Sequence, residues 1–202
     1  MCALLFALLT LSTGFQTGVA LQPDIVFRRQ NRLVVFGIDS TLIQQEAKQQ
    51  LVFTEGVYYL CRALENAVFK LAVFSDGFIP LAKHVKSELG LDYAFANQLQ
   101  VGTDGKRLTG ETVGPIVDAV RKSELLEVIG QAEGIATDQV IAVGNGANDL
   151  LMLGKASLGV AFNAKPKVQQ EARARINQKS LANVLYLMGY SQSEAAELQL
   201  LG

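Results

Sequence analysis

The run Leu33-Val34-Val35-Phe36-Gly37-Ile38 constrains this chain more than any other stretch. It is apolar, rich in β-branched residues and without helical period, which predicts a buried central strand. It breaks at Asp39-Ser40-Thr41, three small polar residues suited to a turn. In an open α/β sheet, ligands sit just past the carboxyl ends of central strands. Asp39-Ser40-Thr41 is therefore the first place to look for chemistry.

Further runs repeat this construction. Phe69 to Phe74 ends at Ser75-Asp76-Gly77, and Gln139 to Val143 runs into Gly144-Asn145-Gly146-Ala147-Asn148-Asp149. A fourth strand opens the stretch Gly159 to Val168. Helical spacing fills the gaps. Thr54 or Glu55 can open a helix to about Glu65, with Val57, Leu60, Cys61 and Leu64 on one face and Asn66 as a left-handed stop. A second helix is expected from Phe78 to Leu89, ended by Gly90. A third runs from Gly114-Pro115 to about Glu133, with Pro near its first turn. A last one covers Leu181 to Leu187. Tyr93 to Ala96 and Gln98 to Val101, beside a polar turn at Thr103-Asp104-Gly105, predict a β-hairpin extension. Strands alternating with helices imply a doubly wound α/β fold with a mostly parallel sheet and a small β-hairpin insert.

The bulk numbers suit one domain with a sizeable core: 202 residues, half of them hydrophobic, 18% charged, net charge -1. No basic stretch is long enough to suggest a nucleic-acid partner. Cys2 and Cys61 are isolated, with neither metal-ligand spacing nor a disulfide framework, so a reducing, cytoplasmic setting is expected. His84 is the single histidine. It lies in Lys83-His84-Val85-Lys86 and reads as part of a solvated helix face. Cys2 to Leu11 is an apolar run too short to span a membrane, and no Lys or Arg precedes Arg28, so an export signal lacks its positive start.

The text VVFGIDSTLIQQE, Val34 to Glu46, resembles the first motif of the haloacid-dehalogenase-type phosphatases, hydrophobic residues followed by D-x-D-x-T. Within them the phosphoserine phosphatase family is most similar. Ser75 matches that family's second motif. Lys122, eleven residues before the Glu133-Gly134-Ile135 turn, falls at its third. GNGANDL, Gly144 to Leu150, falls at its fourth, G-D-G-A-N-D. LGLDYAFAN, Leu89 to Asn97, is similar as well. The resemblance covers about residues 19–190 as a phosphatase core domain. Residues 1–18 read as the remnant or replacement of an upstream segment, and residues 191–202 as a tail with no match.

The resemblance implies Mg²⁺-dependent hydrolysis of a small phosphorylated metabolite, O-phospho-L-serine, in serine biosynthesis. It assigns acid/base work and a metal contact to Asp39. Phosphate and substrate contacts fall to Ser75, Asp76, Gly77, Lys122 and Asn148, a substrate contact to Glu46, and metal contacts to Asn145 and Asp149. This sequence departs from the family at the chemistry. The nucleophilic aspartate is Gly37, the metal-ligand aspartate is Asn145, and the middle residue of the usual S-G-G is Asp76. Seven residues join Glu46 to Thr54, where the family has about fifty more that fold into a cap, so no cap domain is expected. Strongly impaired hydrolysis and weak Mg²⁺ binding follow. The competing expectations are a non-catalytic phosphate- or partner-binding pseudophosphatase, and a capless phosphatase for a large substrate. No membrane partner is implied.

Overall fold

The computed structural model describes residues 19–21, 32–44 and 51–200. Its strands are β1 (Val19–Leu21), β2 (Leu33–Gly37), β3 (Lys70–Phe78), β4 (Tyr93–Val101), β5 (Leu108–Val113), β6 (Val140–Gly144), β7 (Leu158–Phe162) and β8 (Ala174–Ile176). They form one sheet in the order β1-β8-β7-β6-β2-β3-β4-β5. The strands from β8 across to β4 are parallel, and antiparallel β1 and β5 close the two edges. The helices are α1 (Val57–Asn66), α2 (Ile79–Leu89), α3 (Ala119–Glu133), α4 (Leu150–Lys155), α5 (Pro166–Glu171), α6 (Val184–Leu187) and α7 (Gln192–Leu200).

Every residue of β2 is buried, because both faces of the sheet are covered. Val34 and Phe36 point into a core with Leu60 and Leu64 of α1, Val85 of α2 and Leu185 of α6. Leu33 and Val35 point into a second core with Leu125 and Ile129 of α3 and Met152 of α4. That two-sided burial is why the sequence shows an unbroken apolar run instead of alternation. The chain winds outward from β2 through β3 to β4, then returns to β6 on the other side of β2. The reversal puts a topological switch point at the carboxyl ends of β2 and β6.

The doubly wound α/β class and the hairpin insert are as the sequence implies, while several boundaries differ. β3 continues through Ser75-Asp76-Gly77 to Phe78, so those residues extend the strand instead of turning away from it. The register with β4 shifts between Phe74 and Phe78, the kind of irregularity that re-aims side chains near a site. The hairpin pairs the outer half of β4 with Leu108–Val113, and the inner half of β4 belongs to the main sheet. α3 starts at Ala119, not Gly114, because the Asp118 carboxylate caps it by accepting from the Arg121 N–H. Asn66 is not the left-handed stop of α1. It ends the helix proper, its side chain donates to the Leu198 carbonyl, and Val68 takes the positive φ of 61°. The last helix, α7, was not legible in the sequence. It packs on α1 with Ala195 buried. Residues 1–18 lie outside the described residues. Among the described residues no helix is long and apolar enough to cross a membrane.

Candidate active site

Four elements converge at the carboxyl edge. β2 delivers Gly37, β3 delivers Ser75 to Gly77, α3 delivers Lys122, and the turn after β6 delivers Asn145, Asn148 and Asp149. Lys122 stands on the face of α3 turned toward the sheet, and only 2% of its side chain is exposed. Its Nζ donates to Asp149 Oδ1 at 3.0 Å. Asp149 Oδ2 accepts the backbone N–H groups of Asn145 and Gly146, each at 3.1 Å. Burial of this pair is tolerable because ammonium and carboxylate meet directly and the carboxylate takes two further N–H groups. Gly144 is required by the same packing. A Cβ there would lie 2.6 Å from Asp149 Oδ2.

Gly37 faces this pair. A Cβ built on Gly37 would lie 3.2 Å from Asp149 Oδ2 and 3.4 Å from Oδ1. The position that carries the nucleophile in the resembling family therefore opens onto Asp149. Here it presents only hydrogen.

Asp76 reaches over from β3. Its Oδ1 lies 3.7 Å from Lys122 Nζ, and its Oδ2 accepts from Asn148 Nδ2 at 2.9 Å. Ser75 is buried, and its hydroxyl accepts the Gly77 N–H at 3.0 Å. Asp39 lies two residues past Gly37, exposed on the loop that follows β2. In that loop the N–H groups of Thr41, Leu42 and Ile43 all turn back to the Ile38 carbonyl. Thr41 is fully buried, and its hydroxyl has no partner. Glu46 lies outside the described residues. His84 is on the exposed side of α2, away from this chemistry.

Asn97 belongs to the site and was missed in the sequence. It is buried at the end of the inner half of β4. Its Nδ2 donates to the Asp76 carbonyl at 2.6 Å, and its Oδ1 accepts the Val117 N–H at 2.7 Å. The available signal was an amide closing the Tyr-Ala-Phe-Ala run of the inner half of β4.

The donors present do not suit a magnesium ion. That ion takes near-octahedral oxygen ligands at about 2.0–2.1 Å. Here one Asp149 oxygen faces an ammonium and the other two N–H groups, Asp76 already meets Lys122 and Asn148, and Gly37 and Asn145 add no carboxylate to Asp39. Among the described residues no three His, Cys, Asp or Glu side chains group to hold a metal.

Residues 23–154 match the model of the haloacid dehalogenase-like hydrolases, and the chain belongs to that family. Two curated relatives narrow the assignment. The chain is 36% identical over 225 residues to the probable phosphoserine phosphatase of Schizosaccharomyces pombe, covering 87% of this chain and 76% of that protein. It is 43% identical over 166 residues to the phosphoserine phosphatase of Saccharomyces cerevisiae, covering 82% of this chain but only 53% of that protein. Among solved structures, a phospho-aspartyl intermediate analogue of phosphoserine phosphatase superposes with a TM-score of 0.71 at 30% identity, over 77% of this chain and 98% of that one. Within the hydrolases the chain is thus a member of the phosphoserine phosphatase family.

Proposed function

We propose that this chain is a phosphoserine phosphatase-type phosphomonoester hydrolase in which hydrolysis of O-phospho-L-serine is strongly impaired. The observation that carries the reading is Gly37, placed against Asp149 with no side chain to attack phosphorus. In the family scheme a carboxylate displaces the serine oxygen and is then freed by water. Asp39 would protonate the leaving oxygen and activate that water. Ser75, Gly77, Lys122 and Asn148 would hold the phosphoryl oxygens, with Glu46 toward the substrate amine. These roles need a nucleophile, and Gly37 supplies none. Loss of one member of such a unit costs on the order of 10⁴ to 10⁶ in rate.

The short stretch where the family carries its cap supports the same reading. Alignment to the fission-yeast relative runs over 225 positions while engaging 87% of the 202 residues, so about fifty positions find no residue here. The Thr54 N–H donates to the Leu42 carbonyl, and in the sequence seven residues separate Glu46 from Thr54. Without the family's cap, a bound small phosphoester would stay open to water. With Asp149 engaged by Lys122, Mg²⁺ is expected to bind weakly. A cytoplasmic setting agrees with the buried, unpaired thiol of Cys61.

The second reading is a non-catalytic pseudophosphatase, favoured by the two carboxylates, Asp76 and Asp149, that already claim Lys122. Phosphate release from O-phospho-L-serine in Mg²⁺ separates the two. The unmodified chain is expected to release essentially none, and a double revertant, Gly37→Asp with Asn145→Asp, to release measurably more. Silence from a folded revertant favours the pseudophosphatase. Turnover by the unmodified chain overturns the claim of impairment.

A further inference from the structure

A site for a small oxyanion needs a cation and several N–H or O–H donors aimed at one point. Beside Ser75 this chain has them. Lys122 Nζ comes from α3 and Asn148 Nδ2 from the turn after β6, both at the Asp76 carboxylate, while the Ser75 hydroxyl beside them on β3 accepts the Gly77 N–H. An oxyanion already stands among them. The Asp76 carboxylate has Oδ2 on Asn148 at 2.9 Å and Oδ1 near Lys122 at 3.7 Å.

The backbone beneath Asp76 is fixed as well. Its carbonyl takes the Asn97 amide, and Asn97 is itself held by the Val117 N–H. Just before it, the Ser75 hydroxyl turns onto the Gly77 N–H. The side chain therefore leaves a pinned stretch of β3, half exposed, and reaches across to two other elements. Lys122 meanwhile carries one positive charge against two carboxylates. A free phosphate entering here would compete for the same donors and meet Asp76 head on.

We infer that Asp76 is the resident anion of this site. Its carboxylate occupies the Lys122–Asn148 seat, keeps inorganic phosphate out of the unmodified chain, and uncovers a phosphate-binding site when shortened. This rests on the proposed reading that Ser75, Lys122 and Asn148 are phosphate-holding residues. It is tested by binding without turnover, so either can fail alone. Phosphoserine hydrolysis by the unmodified chain would overturn the impairment, and an unchanged phosphate affinity would overturn the role of Asp76.

The experiment is a titration of the full chain with inorganic phosphate, followed by calorimetry and ³¹P line broadening, with EDTA present. The unmodified chain, Asp76→Gly, Asp76→Asn and Asp76→Gly/Asn148→Ala are compared after circular dichroism has confirmed folding. Asp76→Gly is expected to bind phosphate at least about tenfold more tightly than the unmodified chain, a change of about 1.4 kcal/mol. Asp76→Asn, which loses the charge but keeps the bulk, falls between them. Adding Asn148→Ala removes most of the gain. Should Asp76→Gly fail to fold, Asp76→Asn against the unmodified chain decides. Equal affinity or no binding in the folded variants overturns the inference, and so does a gain that survives Asn148→Ala.

Discussion

Replacing Gly37 with Asp restores the family's nucleophile and tests the packing described here. A Cβ at Gly37 stands 3.2 Å from one Asp149 oxygen and 3.4 Å from the other. The new carboxylate would then sit roughly 4 Å from the existing one, where like charges repel by about 4 kcal/mol at an effective dielectric of about 20. Lys122, already 3.0 Å from Asp149, offsets part of that. A net destabilisation of about 2–3 kcal/mol is expected in EDTA. With a urea slope of about 2 kcal/mol per molar, the midpoint falls by about 1 M. Gly37→Ala isolates the steric part, a few tenths of an ångström of adjustment, and should cost under about 1 kcal/mol. Mg²⁺ should recover part of the loss in the Asp variant alone, since a third carboxylate gives a cation something to hold and binding stabilises the folded state. An Asp variant as stable as the unmodified chain in EDTA would refute the placement of Gly37 against Asp149.

Lys122→Met leaves the Asp149 carboxylate buried and without its cation. It should cost about 3–5 kcal/mol in urea unfolding, with Asp149→Asn added to it recovering part, and a loss under about 1 kcal/mol would mean the pair is not closed. Thr41→Val replaces a buried, partnerless hydroxyl by a methyl and should raise the urea midpoint, by the equivalent of about 1 kcal/mol; a lowered midpoint would show that the hydroxyl is bonded. Burial first, and the nearby Glu65 second, push the Cys61 thiol up to about 12 from an unfolded value of 9.0. The folded form therefore keeps its proton longer, so this contribution to stability is whole below pH 9 and is lost as pH rises from there toward 12. In a Cys2→Ser background, dithionitrobenzoate should label Cys61 at pH 8 only on unfolding; prompt labelling of the folded chain would contradict its burial. Asn97→Ala removes the hydrogen bonds to the Asp76 carbonyl and from the Val117 N–H and should cost about 1–3 kcal/mol in the same unfolding assay, an unchanged midpoint counting against these bonds.

The sheet was legible because its central strands are covered on both faces. Leu33 to Ile38, Leu71 to Phe74 and Val140 to Val143 had to be continuous apolar runs, and each had to end in small polar residues where the switch point opens. Motif order, through the family resemblance, implies Asp39, Ser75, Lys122, Asn148 and Asp149 around one pocket; hydrogen bonds and ion pairs link Lys122, Asn148 and Asp149 by way of Asp76. What the sequence hid lay in side chains working outside their propensities. Asn66 read as a helix stop because asparagine tolerates positive φ, yet its amide is engaged by Leu198, and Val68 takes the strained place. α7 docks through only Ala195 and the partly buried Leu198, too short an apolar stripe for periodicity to report. Asn97 stayed invisible because its partners are a carbonyl and an N–H, groups that every residue carries. The role of Asp76 depends on a reach across three elements, which spacing along one strand does not encode.

The central claim is that this member of the phosphoserine phosphatase family keeps the scaffold and has lost the group that takes the phosphoryl. The most direct test is acid quenching of the unmodified chain with radiolabelled O-phospho-L-serine and Mg²⁺, followed by measurement of phosphate bound covalently to protein. The expected result is no label above background, beside a labelled band from the folded Gly37→Asp/Asn145→Asp chain. An acid-stable, hydroxylamine-labile label on the unmodified chain, on Asp76 or any other carboxylate, would contradict it.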